Sequence, residues 1–294
     1  MAFVILNRNT ELQHAVNRYK KNRGGNVMRK NLKHMKHFLA ISVALVLTVA
    51  VVLPALAEQD PSTDMSVAAL SQYIWRGQEL SRDSVVIQPS MTVSYMGFSG
   101  NLWGNLDTDP YTNDGEESAN WTETDLTVSY GKGFGVLSVE GGYIYYGLDG
   151  CDDTQELYLN LGLDTLLSPA LTVYRDIDSY PSWYFLLGIS HAFEIAETVS
   201  LELSGSVSYL LSENAEDYPE IDNGSPTGAK FENFHDGVIS ANLPIAVAEY
   251  ITITPSLSYT FPLSSDASDE MEWRSKTGDD DNFVYGGITV SMAF

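Results

Sequence analysis

The chain has 294 residues, with 16 Lys+Arg against 39 Asp+Glu, one cysteine and 11% aromatic residues. A single Cys excludes an intramolecular disulfide framework and thiolate zinc clusters, and a formal charge of -23 excludes nucleic acid as a partner, because phosphate binding needs clustered Lys and Arg. The aromatic content and a regular apolar alternation exclude a disordered coil.

In chain order, the first segment is basic. Residues 1–57 hold nine Lys+Arg and one acid, Glu11, leaving seven basic against 38 acidic residues in 58–294. Arg29, Lys30, Lys33 and Lys36 lead into an uncharged run over 38–53, and Ala55-Leu56-Ala57 before Glu58 has the small-x-small form that signal peptidase cuts. This reads as an N-terminal tail and signal peptide over 1–57, cleaved after Ala57. A retained membrane helix competes with it, since 38–57 is just long enough to span, but Pro54 and the Ala-x-Ala site weigh against that. Met28 and Met35 leave the translation start open.

From Glu58 onward the dominant period is two, the mark of strands with one apolar face. Ile251, Ile253, Pro255, Leu257, Tyr259 and Phe261 oppose Thr252, Thr254, Ser256, Ser258 and Thr260. Leu157, Leu159, Leu161 and Leu163 oppose Tyr158, Asn160 and Asp164. About twelve such runs are predicted, near 64–75, 84–96, 98–107, 121–131, 134–146, 154–165, 169–177, 182–193, 198–211, 235–246, 249–262 and 282–294; the weak run at 169–177 leaves ten or fourteen open. Most reach the roughly 9–11 residues of a tilted bilayer-spanning strand. Connections alternate between short turns and longer acidic loops, such as 107–120, 212–234 and 263–281. That sorting is the grammar of a closed antiparallel transmembrane barrel, all-β, over 58–294. Tyr73, Trp75, Tyr95, Trp121, Tyr130, Trp183, Tyr209 and Tyr259 are expected to form interfacial girdles. The last run carries Val290, Met292 and Phe294 on one face and Tyr285 and Gly287 on the other, and looks like the signal read by the outer-membrane assembly machinery.

Tyr73, Ile74, Trp75, Arg76 and Gly77, then Ser81, Gln88-Pro89-Ser90 and Gly97-Phe98 with Gly100 and Trp103, resemble the opening of the Gcw-chp family of exported, uncharacterised bacterial outer-membrane proteins. The resemblance covers roughly 71–105 and implies a barrel in the outer membrane, with no catalytic or ligand residues to carry over. Within it, Trp75 is expected at the outer interface, Arg76 against an acidic partner, as a loop-anchoring ion pair or at the pore mouth, and Gly77 at a turn.

Candidate chemistry is sparse. Asp107, Asp109, Asp114, Glu116 and Glu117, then Asp149, Asp152 and Asp153, then Asp266, Asp269 and Glu270, and finally Asp279, Asp280 and Asp281 are carboxylate clusters of the hard-oxygen type. None has calcium-loop spacing, so they read as solvated loops with at most weak Ca²⁺ or Mg²⁺ binding, and no cofactor is expected. His235 and Asp236 are adjacent, so strand parity would point them to opposite faces. No nucleophile elbow is present, so no catalytic residues are expected. Cys151, among acids, reads as an exposed, unreactive loop thiol. Gly131-Lys132-Gly133 reads as a tight turn.

The expected function is therefore a porin-like narrow channel in the bacterial outer membrane for small neutral or cationic solutes. Gln88, Ser90, Thr92, Asn101, Asn105, Glu140, Asn160, Asp164, Glu202, Ser204, Thr254 and Ser256 are the expected lumen lining, leaving few large side chains to plug it, and the acids among them disfavour anions. The alternative is a non-conducting surface barrel whose acidic loops bind a partner, a polysaccharide or divalent cations. Expected partners are outer-membrane lipid and lipopolysaccharide, the barrel assembly machinery and small solutes.

Overall fold

The computed structural model describes residues 61–82, 84–110, 119–278 and 280–294. The signal peptide, its cleavage after Ala57, and the acids Asp114, Glu116, Glu117 and Asp279 lie outside the described residues.

Twelve antiparallel strands form one closed barrel: β1 (Ser62–Leu70), β4 (Val86–Tyr95), β5 (Phe98–Asp107), β6 (Asn120–Phe134), β7 (Leu137–Leu148), β8 (Thr154–Leu163), β9 (Ala170–Asp176), β10 (Ser182–Ala196), β11 (Val199–Ser212), β14 (Glu232–Asn242), β16 (Ile251–Pro262) and β17 (Phe283–Ala293). Each pairs with its sequence neighbour in the ring, and β1 closes on β17 with Leu70 opposite Gly287 and Asp64 opposite Ala293. A short strand, β15 (Ile245–Ala248), follows β14 past Leu243-Pro244 and pairs with both β11 and β16. Pro cannot donate to a ladder, so the strand breaks there and resumes.

The alternation seen in the sequence sorts residues between the two faces of this wall. Leu157 is 49% exposed, whereas its neighbour Glu156 is 2% exposed. The outer face is a belt of exposed Val, Leu and Ile from every part of the ring, including Val67, Leu159, Leu187, Ile239, Leu257 and Val290. Water does not tolerate a belt of that extent on a monomer, but hydrocarbon does, and there a β protein must close to pair every backbone group. Exposed aromatics gather near both ends of the strands. Trp121, Phe234 and Tyr259 lie toward the long-loop end, and Phe98, Tyr130, Phe134, Phe193, Tyr250 and Phe294 toward the short-turn end, as interfacial girdles do. Among the described residues, no helix is long and apolar enough to cross a membrane.

The short connections, at 96–97, 135–136, 164–169, 197–198 and 249–250, share one end of the barrel with the two chain-terminal strand ends. Residues 131–133 stay within β6, and the turn falls instead at Gly135, where φ is 67°. The long connections at the other end carry their own elements. They are a hairpin of β2 (Ile74–Trp75) and β3 (Gln78–Glu79), a second hairpin of β12 (Pro219–Asp222) and β13 (Ser225–Lys230), and a helix α1 (Ser265–Arg274) capped by Ser264, whose hydroxyl accepts from Ala267 N–H at 3.1 Å. The first predicted run therefore divides. Residues 62–70 stay in the barrel wall, and 74–79 turn back as a hairpin that enters the barrel.

Candidate functional site in the barrel lumen

The inward hairpin turns on Arg76 (φ 48°) and Gly77 (φ 78°), both left-handed, as a two-residue type I′ loop requires. Gly77 is needed twice over: a Cβ there would lie 3.0 Å from Asp236 Cβ and 3.2 Å from Met271 Sδ. This tight seat presses Arg76 against the lumen wall. Its guanidinium makes a bidentate pair with Glu156 on β8, Nη1 donating to Oε1 at 2.7 Å and Nη2 to Oε2 at 2.8 Å. Tyr146 on β7 also donates its hydroxyl to Glu156 Oε2 at 2.8 Å. Three rings surround the same guanidinium: Trp75, Tyr174 and Tyr184, with centroids 4.4, 4.5 and 4.4 Å away. The side chains are 12% and 3% exposed for Arg76 and Glu156. In so enclosed a place the pair and the cation–π contacts are far stronger than at a surface.

Arg76 thus has the acidic partner expected of it, and the pair anchors the loop hairpin to the wall from inside the lumen. The interfacial placement of Trp75 and Tyr73 is corrected. Trp75 packs edge-on to Tyr146 at 6.1 Å and Tyr73 lies 5.5 Å from Trp103, both on the inner wall. The hairpin sequence continues the apolar alternation of β1, which is why it reads as strand.

A second set of contacts locks the hairpin to α1. Glu79 accepts from the backbone N–H of Lys276 at 2.6 Å and of Thr277 at 3.0 Å, and from the Ser275 hydroxyl at 3.1 Å. Glu270 of α1 is fully buried. It accepts from Arg274 Nε and lies 3.1 Å from His235 Nε2. Burial alone would raise the Glu270 pKa, but His235 and Arg274 overcome it and hold the group below its ordinary value. Ala267 on α1 joins Tyr184, Leu210, Tyr218 and Phe231 in a small apolar core between the wall and the loops. The expectation of few large side chains in the lumen is corrected by this plug, which fills the long-loop end.

His235 and Asp236 overturn the parity expectation. Both are buried, at 1% and 2% exposure, and His235 Nδ1 is 3.1 Å from Asp236 Oδ1. The cause is a bulge: between Val207 and Tyr209 the register of β11 against β14 shifts, so consecutive residues 235 and 236 both reach the interior. Asp236 is then held by the hydroxyls of Tyr184 at 2.8 Å and Ser208 at 2.7 Å. His235 thus bridges Asp236 of β14 and Glu270 of α1 as a buried brace.

Of the residues expected in the lumen, eleven lie on the inner parity of their strands. Gln88 donates to Asn105 at 3.0 Å, and Asn101 to Ser90 at 2.9 Å and Thr92 at 2.8 Å. Glu140 accepts from Tyr158 at 2.6 Å, and Asn160 donates to Thr172 at 2.6 Å. Glu202 and Ser204 face Asn242 and Ser240 across the ladder, Thr254 faces Thr289, and Ser256 faces Gly287. Asp164 is different: it is an exposed residue of the 164–169 turn, beyond the end of β8. In β17, Val290 and Met292 face outward and Tyr285 and Gly287 inward, while Phe294 exchanges backbone bonds with Thr63 at 2.7 and 2.9 Å.

Next to the Arg76 seat is a cavity of about 390 Å³, whose lining includes Tyr146, Tyr174, Tyr184, Ser204, Ser206 and Ser240. Among the described residues, the Lys and Arg of the wall strands avoid this interior. Lys132 and Arg175 share the parity of the outward Tyr130 and Leu171, and Arg175 pairs with Glu213 at 2.7 Å near the strand end. Carboxylates on the inner parity include Glu123, Asp125, Glu140, Glu156 and Glu202.

The loop acids are mostly structural acceptors. Asp107 is buried and takes the Ser84 hydroxyl at 2.6 Å, Asp149 takes Asn120 Nδ2 at 2.7 Å, and Asp153 takes the Tyr145 hydroxyl at 2.5 Å. The reading of solvated charge is corrected for Asp107 and Glu270. Among the described residues no three His, Cys, Asp or Glu side chains gather as a metal site. Cys151 is exposed, and its thiol pKa is raised by partial desolvation and then by Glu123, Asp152 and Asp153. The residues that sequence reasoning missed, Glu156, Tyr146, Tyr174 and Tyr184, sit at inner-parity positions but acquire meaning only from the hairpin that reaches them.

No protein-family model matches the chain, and no curated protein matches it. Solved barrels are similar in outline. A structure named KdgM porin aligns at TM-score 0.48 and 11% identity, covering 79% of this chain and 99% of its own. A structure described as NanC porin aligns at 0.47 and 10%, covering 78% and 98%. The COG4313 outer membrane channel from Pseudomonas putida F1 aligns at 0.46 and 8%, covering 81% and 97%.

Proposed function

We propose that the chain forms an outer-membrane barrel that acts as a narrow, plugged channel for small cationic or neutral solutes. The observation that carries this reading is the asymmetry of the inner wall. It carries Ser, Thr, Asn, Gly and Tyr with repeated carboxylates, and its wall strands present no inward Lys or Arg among the described residues. A lumen of that composition lowers the free energy of cations and raises that of anions. Residues 1–57 would deliver the chain across the inner membrane, β17 would present the assembly machinery with its signal, and lipid and lipopolysaccharide would surround the belt. Membership of the Gcw-chp family remains a proposal resting on residues 73–77 and their neighbours.

The plug supports a second reading. Loops packed into the outer mouth and bonded to one another suit a non-conducting barrel whose exposed acids meet a partner or polysaccharide. Single-channel recording in a planar bilayer under a KCl gradient, with protein-free detergent as control, separates the two. Discrete steps with a cation-selective reversal potential are expected. Silence from a verified folded barrel, both with and without residues 72–81 replaced by a short Gly/Ser linker, would sink the channel reading.

A further inference from the structure

Apart from Trp75, the groups that hold the Arg76 guanidinium belong to the lumen wall. Glu156 offers two carboxylate oxygens in the plane that a guanidinium fork matches, at 2.7 and 2.8 Å from the Arg76 nitrogens. The Tyr146 hydroxyl bonded to Oε2 fixes that plane. Tyr174 and Tyr184 supply π-faces at 4.5 and 4.4 Å, and the Tyr184 ring is in turn held by its hydroxyl on Asp236. All of these belong to barrel strands, whereas Arg76 arrives on the two-residue turn of the inward hairpin and Trp75 on its first strand. Arg76 holds a left-handed backbone that a non-glycine residue adopts reluctantly, so nothing about the turn itself asks for Arg. The adjoining cavity of about 390 Å³, continued by Ser204, Ser206 and Ser240, gives a free cation room beside the seat.

We propose that Glu156, Tyr146, Tyr174 and Tyr184 form a binding site for guanidinium-bearing solutes in the lumen, with Arg76 as its tethered occupant. This deepens the channel reading and rests on it for its physiological sense: the plug would inhibit by occupying the site at which permeating cations bind. Planarity, bidentate donation and weak hydration favour guanidinium over ammonium here. Because a tethered group has a high effective concentration, free ligands compete poorly until the tether's head is removed.

The test uses the full chain, purified from membranes in detergent, and the substitution Arg76→Asn. Asn-Gly is the pair that type I′ turns prefer, so the hairpin keeps its fold while its guanidinium is lost. Thermal unfolding and Trp fluorescence are followed against methylguanidinium, methylammonium and KCl at matched ionic strength. The variant should show a saturable rise in Tm with methylguanidinium, at least about tenfold more potent than methylammonium, and wild type little response. Arg76→Asn combined with Glu156→Gln should lose it. Equal responses to all three salts, or an unchanged response in the double variant, would overturn the proposal. If R76N itself is misfolded, Arg76→Lys provides the second route. Its ammonium leaves the bidentate oxygens poorly matched, and methylguanidinium should stabilise it more than it stabilises wild type; a response no larger than that of wild type counts against the site. Binding is read without current. Selective binding in a barrel that never conducts would support the site and remove the channel, whereas cation-selective current with no selective binding would do the reverse.

Discussion

Arg76 connects a charge, three rings and a strained backbone in one residue, and removing its head leaves Glu156 buried without its main partner. Breaking such a pair from one side costs about 3–5 kcal/mol, so Arg76→Ala is expected to lower the thermal midpoint of the purified barrel. Replacing Arg76 and Glu156 together by Met and Gln should cost less than the Arg76 change alone, a non-additivity that unfolding measurements on the cycle would show. At Gly77 the cost is steric as well as conformational. A Cβ would meet Asp236 and Met271, and Gly77→Ala should loosen the hairpin enough to raise protease cleavage near residues 80–85 without dissolving the barrel. Sequence reading identified Arg76 as needing an acid, because only seven basic residues follow position 57. It could not identify Glu156, 80 positions away, because no local pattern records which wall a hairpin will touch.

At the scale of elements, α1 and the β2–β3 hairpin behave as one plug, since Glu79 accepts from residues 275–277 and Glu270 meets the β14 wall through His235. Glu270 has a lowered folded-state pKa despite its burial. Its contribution is therefore complete above the unfolded glutamate value of about 4.3 and is lost as pH falls through the lower folded value. Acid titration followed by Trp273 fluorescence should show α1 releasing only below the ordinary glutamate range. Glu270→Gln should remove that carboxylate's contribution at neutral pH, with release no longer tied to its titration. Strand content and the alternation of short and long connections were legible because period two survives in each run independently, although the turn read at 131–133 falls at Gly135. The bulge at Val207/Tyr209 was not, since it exists only in the pairing of β11 with β14. For the same reason the hairpin at 74–79 passed for the end of β1: alternation reports a two-faced strand and not which sheet it joins.

At the largest scale, the barrel is a ring closed by its first and last strands, and the seam is tight. A Cβ on Gly287 would stand 1.9 Å from the Ala69 carbonyl oxygen and one on Gly286 2.2 Å from that of Ser256. Gly287→Val is expected to abolish the heat-modifiable mobility of the folded barrel on cold gels, whereas Gly100→Val, at a position with open space around it, should leave it intact. The charge of the molecule is also legible at this scale: 38 acidic residues after position 57 announced an acidic lumen and mouth. What composition could not show is that many of those acids are engaged as acceptors within the plug and its supports.

The seam also sets an order in time. Hairpins such as β6–β7 join residues close in sequence and can form as soon as both strands exist. The bonds from Thr277 to Glu79 span 198 positions, and β1 meets β17 across an even longer interval. Long-range closures of this kind come late, and α1 is made only after eleven of the twelve wall strands. The order expected from these separations is a wall largely built while the outer mouth is still open, with seating of the plug among the last events.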